Sequence, residues 1–200
     1  FRCWGGRANM AGEGHPKGMK LYEGSDVRVI TEYIVKNQQL MLENLKREER
    51  RQRDVVSLPY MPQLRTTRRI ESSYVLTKND CYNHVDDSIG VVCDSGRLNE
   101  LYELPLRMLY HDEYDNMLTA GRSAGAAGAA WDFVRLIPQA IVTGQAAGCI
   151  AALAVKEGVV VRELKNSVYQ PVLEEAGVII HYPEEMRSTS NSALVGTDHF

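Results

Sequence analysis

The chain has 200 residues, of which 44% are hydrophobic and 24% are charged, and its formal net charge is −3. A chain of this length can form a sizeable hydrophobic core, and its composition is typical of a globular protein. The slightly acidic balance argues against a nucleic-acid-binding surface over the whole protein. The most apolar run, residues 140–155, is shorter than the ~20 residues that a membrane-spanning helix needs. We therefore expect neither nucleic acid nor a membrane as a partner.

Cysteine and histidine spacing gives little support for a metal or redox site. The chain contains four cysteines, Cys3, Cys81, Cys93 and Cys149. No two of them have the C-x-x-C spacing of a zinc or thiol redox site, and the pattern suits a reducing compartment such as the cytoplasm. His84 lies close to Asp86 and Asp87 in the sequence, but within a predicted loop between strands. We therefore predict no metal site.

The N-terminal part predicts a glycine-rich loop over residues 1–24, followed by a long helix. Ser25 or Asp26 can cap this helix. Its apolar face is predicted from five positions at helical spacing, Val27, Ile30, Ile34, Met41 and Leu45. Residues 46–53 are almost all charged, which predicts a solvated helix end; a basic patch for an anionic partner is the alternative.

The middle of the chain predicts β-structure. Alternating or continuous apolar residues indicate strands at residues 69–77, 88–93, 101–109 and 117–120. Pro105 places the third strand at a sheet edge or a bulge. A helix over about residues 162–175 and a short strand over residues 178–180 complete the predicted elements.

Small residues then dominate the chain from Ala120 to Ala130. Gly121 ends the strand before it, and so few side chains let the backbone approach another group closely. Pro138 suits the first turn of a helix that extends to about Glu157, and Gly158 suits its C-terminal cap. A strand, a loop of small residues and a helix N-terminus together can bind an anion or an electron-rich ring.

The same helix carries small residues at every fourth position, Ala140, Gly144, Gly148 and Ala152. One of its faces is therefore almost bare. We expect another element to pack closely against this face, so that a leucine at position 144 would disrupt folding.

Several motifs resemble the C-terminal, FAD-contacting segment of a large family of FAD-dependent oxidoreductases. The matching sequences are Asn-Met-Leu-Thr-Ala-Gly-Arg at residues 116–122, Arg-Leu-Ile-Pro at residues 135–138 and Gly-Gln-Ala-Ala-Gly at residues 144–148. Upstream blocks at residues 65–70, 74–77 and 102–107 also fit, and the resemblance covers about residues 58–158.

The resemblance implies FAD as the cofactor and a set of contacting residues, Gly121, Arg122, Ser123, Arg135, Leu136, Ile137, Pro138, Gln139 and Gly144. In the family pattern the arginine after the glycine lies beside the ribityl–phosphate side of the flavin. The backbone N–H groups at the start of the following helix face its O2 and N1 atoms. The family usually has a threonine or a similar residue where Gln139 stands. From the residues alone, Arg122 could instead pair with Asp115 or Asp132.

Three further arginines, Arg65, Arg69 and Arg107, are candidates for binding an acidic small-molecule substrate, and the first two could instead form an ion pair that faces the flavin. Surface salt bridges are the alternative for the first two, and Arg107, which follows Pro105, is the weaker candidate. The catalytic residues are left unknown: residues 111–113 could supply a base near the substrate, but a loop turn is the favoured interpretation of this segment.

We predict an α+β fold with a mixed sheet of four or five strands and about three main helices, the C-terminal part of an FAD/NAD(P)-binding fold. One domain would span residues 1–183, followed by a polar tail at residues 184–200. No Gly-x-Gly-x-x-Gly turn is present, so we expect an N-terminal dinucleotide-binding portion of the same polypeptide as a partner. A homo-oligomer is left open. The alternative is a binding or structural module that keeps the fold without binding FAD.

Overall fold

The computed structural model describes residues 20, 22, 24–47, 66–94 and 100–184. The chain divides into two compact units, residues 1–67 and 68–200. The predicted polar tail and residues 48–53 of the charged run lie outside the described residues, except for Glu184.

Helix α1, Val27–Arg47, is the main described element of the first unit. Asp26 caps it, because its Oδ1 accepts a hydrogen bond of 2.7 Å from the backbone N–H of Arg28. The buried face consists of Tyr33, Asn37 and Met41, which are four residues apart. The helix is as predicted, but its buried face is displaced, since Met41 alone among the five predicted apolar positions is buried.

The second unit contains a β-hairpin and three helices. Strands β1, Ser88–Cys93, and β2, Leu101–Pro105, pair antiparallel, with Val91 opposite Glu103. The helices are α2, Gly128–Val134, α3, Ile137–Glu157, and α4, Asn166–Glu175. The α+β class is therefore confirmed, whereas the described sheet has two strands instead of the predicted four or five.

The predicted strand at residues 69–77 is wrong because its backbone donors go to several segments instead of one neighbouring strand. The N–H of Ser73 donates to Tyr110 O at 3.0 Å, and that of Leu76 donates to Gly125 O at 2.9 Å. Only the pair Leu76–Ala126 forms a bridge, and it is parallel.

The strand predicted at residues 88–93 is confirmed as β1. The remaining predicted strands are shorter than expected or do not pair with a neighbouring strand. Strand β2 ends at Pro105, and residues 106–108 form a 3-10 turn. In residues 117–120 the N–H of Thr119 donates to Leu109 O at 2.8 Å without forming a strand. Residues 178–180 also form no strand, although Ile179 O accepts from Val91 N–H at 2.8 Å. The helix predicted from residue 162 begins at Asn166, after a 3-10 turn at residues 161–163.

Helix α3 is the centre of the second unit. Its buried residues follow helical spacing: Gln139, Thr143, Ala146, Ile150 and Ala154. They lie on the side of the helix that contacts β1, α2 and α4. The approach to β1 is close, since a Cβ built on Gly90 would lie 2.7 Å from Cγ1 of Val142. Gly158 ends α3 with a left-handed φ of 68°, as the sequence predicts.

Among the described residues, α3 is also the one helix that is long and apolar enough to cross a membrane by length and composition. It has 21 residues, more than the apolar run alone suggests. In α3, 28% of the apolar window is buried, on the face that packs within the second unit.

Candidate functional site

The turn at Gly121–Ser123 lies directly against the start of α3, so the structure brings together the two predicted halves of the site. Gly121 has a left-handed φ of 64°, which favours glycine. A Cβ at this position would lie 3.4 Å from the Cβ of Ala140. The N–H of Gly121 donates to Oγ1 of Thr143 at 2.9 Å, and Thr143 is fully buried.

Thr143 is the link that the sequence analysis missed. Its hydroxyl accepts from Gly121 and lies 2.9 Å from the carbonyl oxygen of Gln139, to which it can donate. A threonine on the buried side of a helix often donates to the carbonyl four residues earlier. The threonine therefore holds the turn on the first two turns of α3.

The first turn of α3 carries two free backbone donors. The N–H of Leu136 donates to Phe133 O at 2.9 Å, so this predicted donor is already used. The N–H groups of Ile137 and Gln139 have no acceptor among the described residues. They lie at the positive end of a 21-residue helix, where an anion or a partial negative charge is stabilised. Ile137 is 78% exposed, whereas Gln139 is 1% exposed, so of these two donors the amide of Ile137 lies at the surface and that of Gln139 lies in the interior.

Gln139 anchors the start of α3 to the hairpin. Its side chain is buried, and its Nε2 donates to the carbonyl oxygen of Cys93 at 2.7 Å. Its Oε1 is also buried and has no hydrogen-bond partner in the described part of the chain. Gln139 stands where the family usually has a threonine or a similar residue, and here its side chain bonds the backbone at the end of β1.

The two arginines of the predicted site have different surroundings. The Arg135 side chain is 12% exposed and its Nη2 lies 3.2 Å from Asp132 Oδ1. Asp115, in turn, pairs with Arg162. Both acids considered as partners of Arg122 therefore bind other arginines. The Arg122 guanidinium is exposed and makes no hydrogen bond or ion pair with the described residues.

The small residues that follow the turn pack against other residues of the second unit. Ala124, Ala126 and Ala130 are fully buried. A Cβ built on Gly125 would lie 1.8 Å from Oγ of Ser72 and 2.6 Å from the carbonyl oxygen of Tyr74. The close approach predicted from these residues is therefore to residues 72–74.

The remaining predicted cofactor residues lie at the surface. Ser123 is exposed, and its carbonyl oxygen accepts from the N–H of Ile70 at 2.8 Å. Pro138 is exposed in the first turn of α3. Gly144 is exposed, and a Cβ built there has no described atom within 4 Å. The prediction that another element packs closely on this face of α3 is wrong for the described residues.

Two of the three arginines predicted to bind a substrate, Arg69 and Arg107, lie in the described part of the chain. Arg65 lies outside the described residues. Arg69 is exposed, and its Nη1 donates to the neighbouring Ile70 O at 3.0 Å. Arg107 makes two hydrogen bonds to Asp87, of 3.0 and 3.2 Å, which raise the pKa of its guanidinium.

Arg107 nevertheless lines a cavity of about 390 Å³. The other lining residues are Asp86, Asp87, Leu106, Tyr110, Arg162, Leu164 and Asn166. The guanidinium also lies over the Tyr74 ring, 5.0 Å from its centroid. A substrate carboxylate would have to compete with Asp87 for this arginine.

The turn and the start of α3 thus carry an exposed arginine, Arg122, and an unpaired amide at the exposed residue Ile137. A family model described as FAD dependent oxidoreductase matches residues 19–174. The chain belongs to this family, which confirms the resemblance. Comparisons with the curated proteins and with the solved structures found no significant match.

Proposed function

We propose that this chain contributes the flavin-contacting turn and helix start of an FAD-dependent oxidoreductase. The observation that supports the proposal is the arrangement of Gly121–Ser123 against the first turn of α3, with the Arg122 guanidinium and the amides of Ile137 and Gln139 unpaired among the described residues. These donors suit a cofactor that is rich in acceptor oxygens and nitrogens. That they contact FAD stays a prediction.

When bound, FAD would carry the redox chemistry by accepting electrons from a small-molecule substrate. The chain's own groups position the cofactor and stabilise charge. Arg122 would bond a hydroxyl or phosphate oxygen in a forked geometry. The N-terminal turn of α3 would stabilise the negative charge that grows on the flavin upon reduction. Arg135 would act indirectly, through its pair with Asp132 just before α3.

The proposal includes an FAD/NAD(P)-binding fold and an N-terminal dinucleotide-binding portion in the same polypeptide, in a cytoplasmic enzyme without nucleic-acid or membrane partners. The pyrophosphate of a dinucleotide is held by a glycine-rich turn that this chain lacks. We therefore expect the 200-residue chain alone to bind FAD weakly. Purification with stoichiometric flavin, seen as its absorbance band, would contradict this expectation.

The test uses the full-length polypeptide and the variant Arg122→Ala. Loss of a charge-assisted hydrogen bond costs about 1.5–3 kcal/mol, so the dissociation constant for FAD should rise roughly ten- to a hundredfold. The melting temperature of the FAD-free protein should not change, because the Arg122 side chain has no partner in the described part of the chain. Flavin fluorescence titration and thermal denaturation measure the two quantities.

Lys156→Ala is the matched control, because Lys156 is an exposed cation in the last turn of α3, at its opposite end. It should leave FAD binding unchanged. If Arg122→Ala also leaves FAD binding and flavin reduction unchanged, Arg122 is not a cofactor contact. If the wild-type full-length protein binds no FAD, the alternative of a non-catalytic module is favoured.

A further inference from the structure

Three residues from distant parts of the sequence meet beside the hairpin. His84 precedes β1, Glu103 lies in the middle of β2, and His181 follows α4. Oε2 of Glu103 lies 3.1 Å from Nδ1 of His84 and 3.0 Å from Nδ1 of His181. The two imidazole rings are 4.6 Å apart between centroids. One candidate ligand atom from each residue lies within 4.8 Å of the other two.

The polar atoms of this cluster are not satisfied by hydrogen bonds alone. The Glu103 side chain is fully buried, and its Oε2 accepts from the N–H of Val85 at 2.8 Å. Its Oε1 is buried without a hydrogen-bond partner among the described residues. Nδ1 of His181 is also buried, and its 3.0 Å contact with Oε2 lacks the geometry of a hydrogen bond. A buried carboxylate is costly unless a cation or several donors compensate it. No arginine or lysine of the described chain is paired with Glu103.

The geometry suits a cation that accepts nitrogen and oxygen ligands. In tetrahedral zinc sites the bonds are about 2.0–2.2 Å, which places neighbouring ligand atoms roughly 3.3–3.5 Å apart. The two nitrogen–oxygen distances, 3.0 and 3.1 Å, need only a small expansion to reach that spacing. Two histidines and one glutamate would fill three of the four coordination positions of a tetrahedral zinc ion and leave the fourth open. The His84 side chain is 31% exposed, so water can reach the site.

A fourth residue orients the first ligand. Nε2 of His84 lies 3.4 Å from Oδ1 of Asp86, on the ring edge opposite the shared Nδ1 position. A carboxylate on the outer nitrogen of a ligating histidine fixes its tautomer and raises its basicity. We propose that His84, Glu103 and His181 form a zinc-binding site, with Asp86 as the positioning residue behind His84. Zinc there would cross-link the segment after α4 to the hairpin.

The test is zinc titration of the untagged 200-residue chain after chelation and dialysis, followed by calorimetry and by thermal denaturation. We expect one saturable Zn²⁺ per chain and a higher melting temperature with zinc, because the ion binds the folded chain preferentially. Affinity should fall as the pH is lowered, because protons compete with zinc for its nitrogen and oxygen ligands. Absence of saturable binding would overturn the proposal, and the cluster would then be a proton-sharing group.

Because Glu103 is fully buried, the variants replace the two part-exposed histidines. His84→Gln and His181→Gln should each weaken zinc binding at least about tenfold, and Asp86→Asn should weaken it less. His111→Gln is the matched control, because Nδ1 of His111 accepts from the N–H of Glu113, outside the cluster. An equal effect of all four substitutions, or no effect of the first two, would overturn the proposal.

Discussion

Residues 124–130 and the outer face of α3 are both rich in glycine and alanine, but they have opposite surroundings. In the loop, Gly125 has no room for a methyl group, because Ser72 and Tyr74 occupy the space beside it. On the helix, Gly144 and Gly148 are exposed and have no described atom within 4 Å of a built Cβ.

The same composition therefore has two causes. In the loop, small residues are required because the backbone of residues 124–126 lies against residues 72–76, with a hydrogen bond from Leu76 N–H to Gly125 O. On the exposed face of α3, no steric requirement acts within the described chain. A run of small residues indicates that another segment could pack closely against the backbone. Whether one does so depends on the residues that lie opposite in the fold. Four substitutions test this comparison.

The largest effect is expected for Gly125→Val. Overpacking a core costs typically about 1–3 kcal/mol, and here the new carbon would also meet a backbone oxygen at 2.6 Å, which cannot rotate away. We expect the second unit to lose its cooperative thermal transition, measured by circular dichroism. Gly148→Val, on the open helix face, is the control and should melt close to the wild type. A Gly125→Val variant that melts with the control would show that the loop can move away.

Thr143→Val is expected to have the next largest effect, because it tests the buried face of the same helix. The substitution keeps the shape but leaves the N–H of Gly121 without its acceptor, which is 2.9 Å away in the wild type. An unsatisfied buried donor costs about 1–3 kcal/mol, so the free energy of unfolding in urea should fall by that amount. Thr143→Ser retains the hydroxyl and should remain closer to the wild type. Equal stabilities of the two variants would contradict the role of this hydrogen bond.

Tyr74→Phe tests the segment that faces Gly125, and its effect on stability should depend on pH. Burial, and a hydrogen bond from the Tyr74 hydroxyl to Asp80, raise the pKa of Tyr74 to about 12. In the unfolded chain the pKa is about 10. The protonated Tyr74 hydroxyl therefore makes its full contribution to the free energy of unfolding below pH ~10. This contribution is lost as the pH rises to about 12.

The phenylalanine variant should be less stable at neutral pH by about 1 kcal/mol. Its stability should also decline less steeply between pH ~10 and ~12 than that of the wild type. Urea denaturation at several alkaline pH values measures both effects. Part of the decline should persist in the variant, because burial also raises the pKa of Tyr102 and Tyr169. Identical slopes for the two proteins would contradict the contribution of Tyr74.

The smallest effect, and the opposite sign, is expected for Gly144→Ala. Alanine in a helix interior is favoured over glycine by roughly 0.5–1 kcal/mol, and no described atom opposes the added methyl group. The melting temperature of the 200-residue chain should therefore rise slightly. A decrease would show that an element covers this face after all and would remove the contrast with Gly125.

Helix α3 and its ends could be predicted because their signals are local. Pro138 in the first turn and Gly158 at the C-terminal cap define α3 within the sequence itself. Strand pairing depends on distant partners, so residues 69–77 have strand-like alternation but no ladder. The short helix α2 was missed because its glycine and alanine residues suggested a loop.

The contact between the turn at Gly121 and the start of α3 was predictable from the family resemblance, and that these residues bind a flavin stays a prediction. The geometry of this contact was not predictable, because Thr143 joins the two halves through a side-chain oxygen. The cluster of His84, Glu103 and His181 has no local signal, since the residues come from three separate segments. In the sequence, only Asp86 and Asp87 lie close to His84, and no metal site was predicted from them. Of these acids, Asp86 lies beside His84, whereas Asp87 binds Arg107.

The outer edge of β1 is closed by residues that follow it by about 90 positions. The N–H of Val91 donates to Ile179 O at 2.8 Å, and Oγ of Ser88 donates to Ile180 O at 2.5 Å. Contacts between residues so far apart in the sequence lower the folding rate, because a long loop must close before they can form. During synthesis, β1 can pair with β2 as soon as the hairpin has emerged, but its other edge stays unpaired until Ile180 leaves the ribosome. Nascent chains that stop before residue 178 would expose that edge and be prone to aggregation.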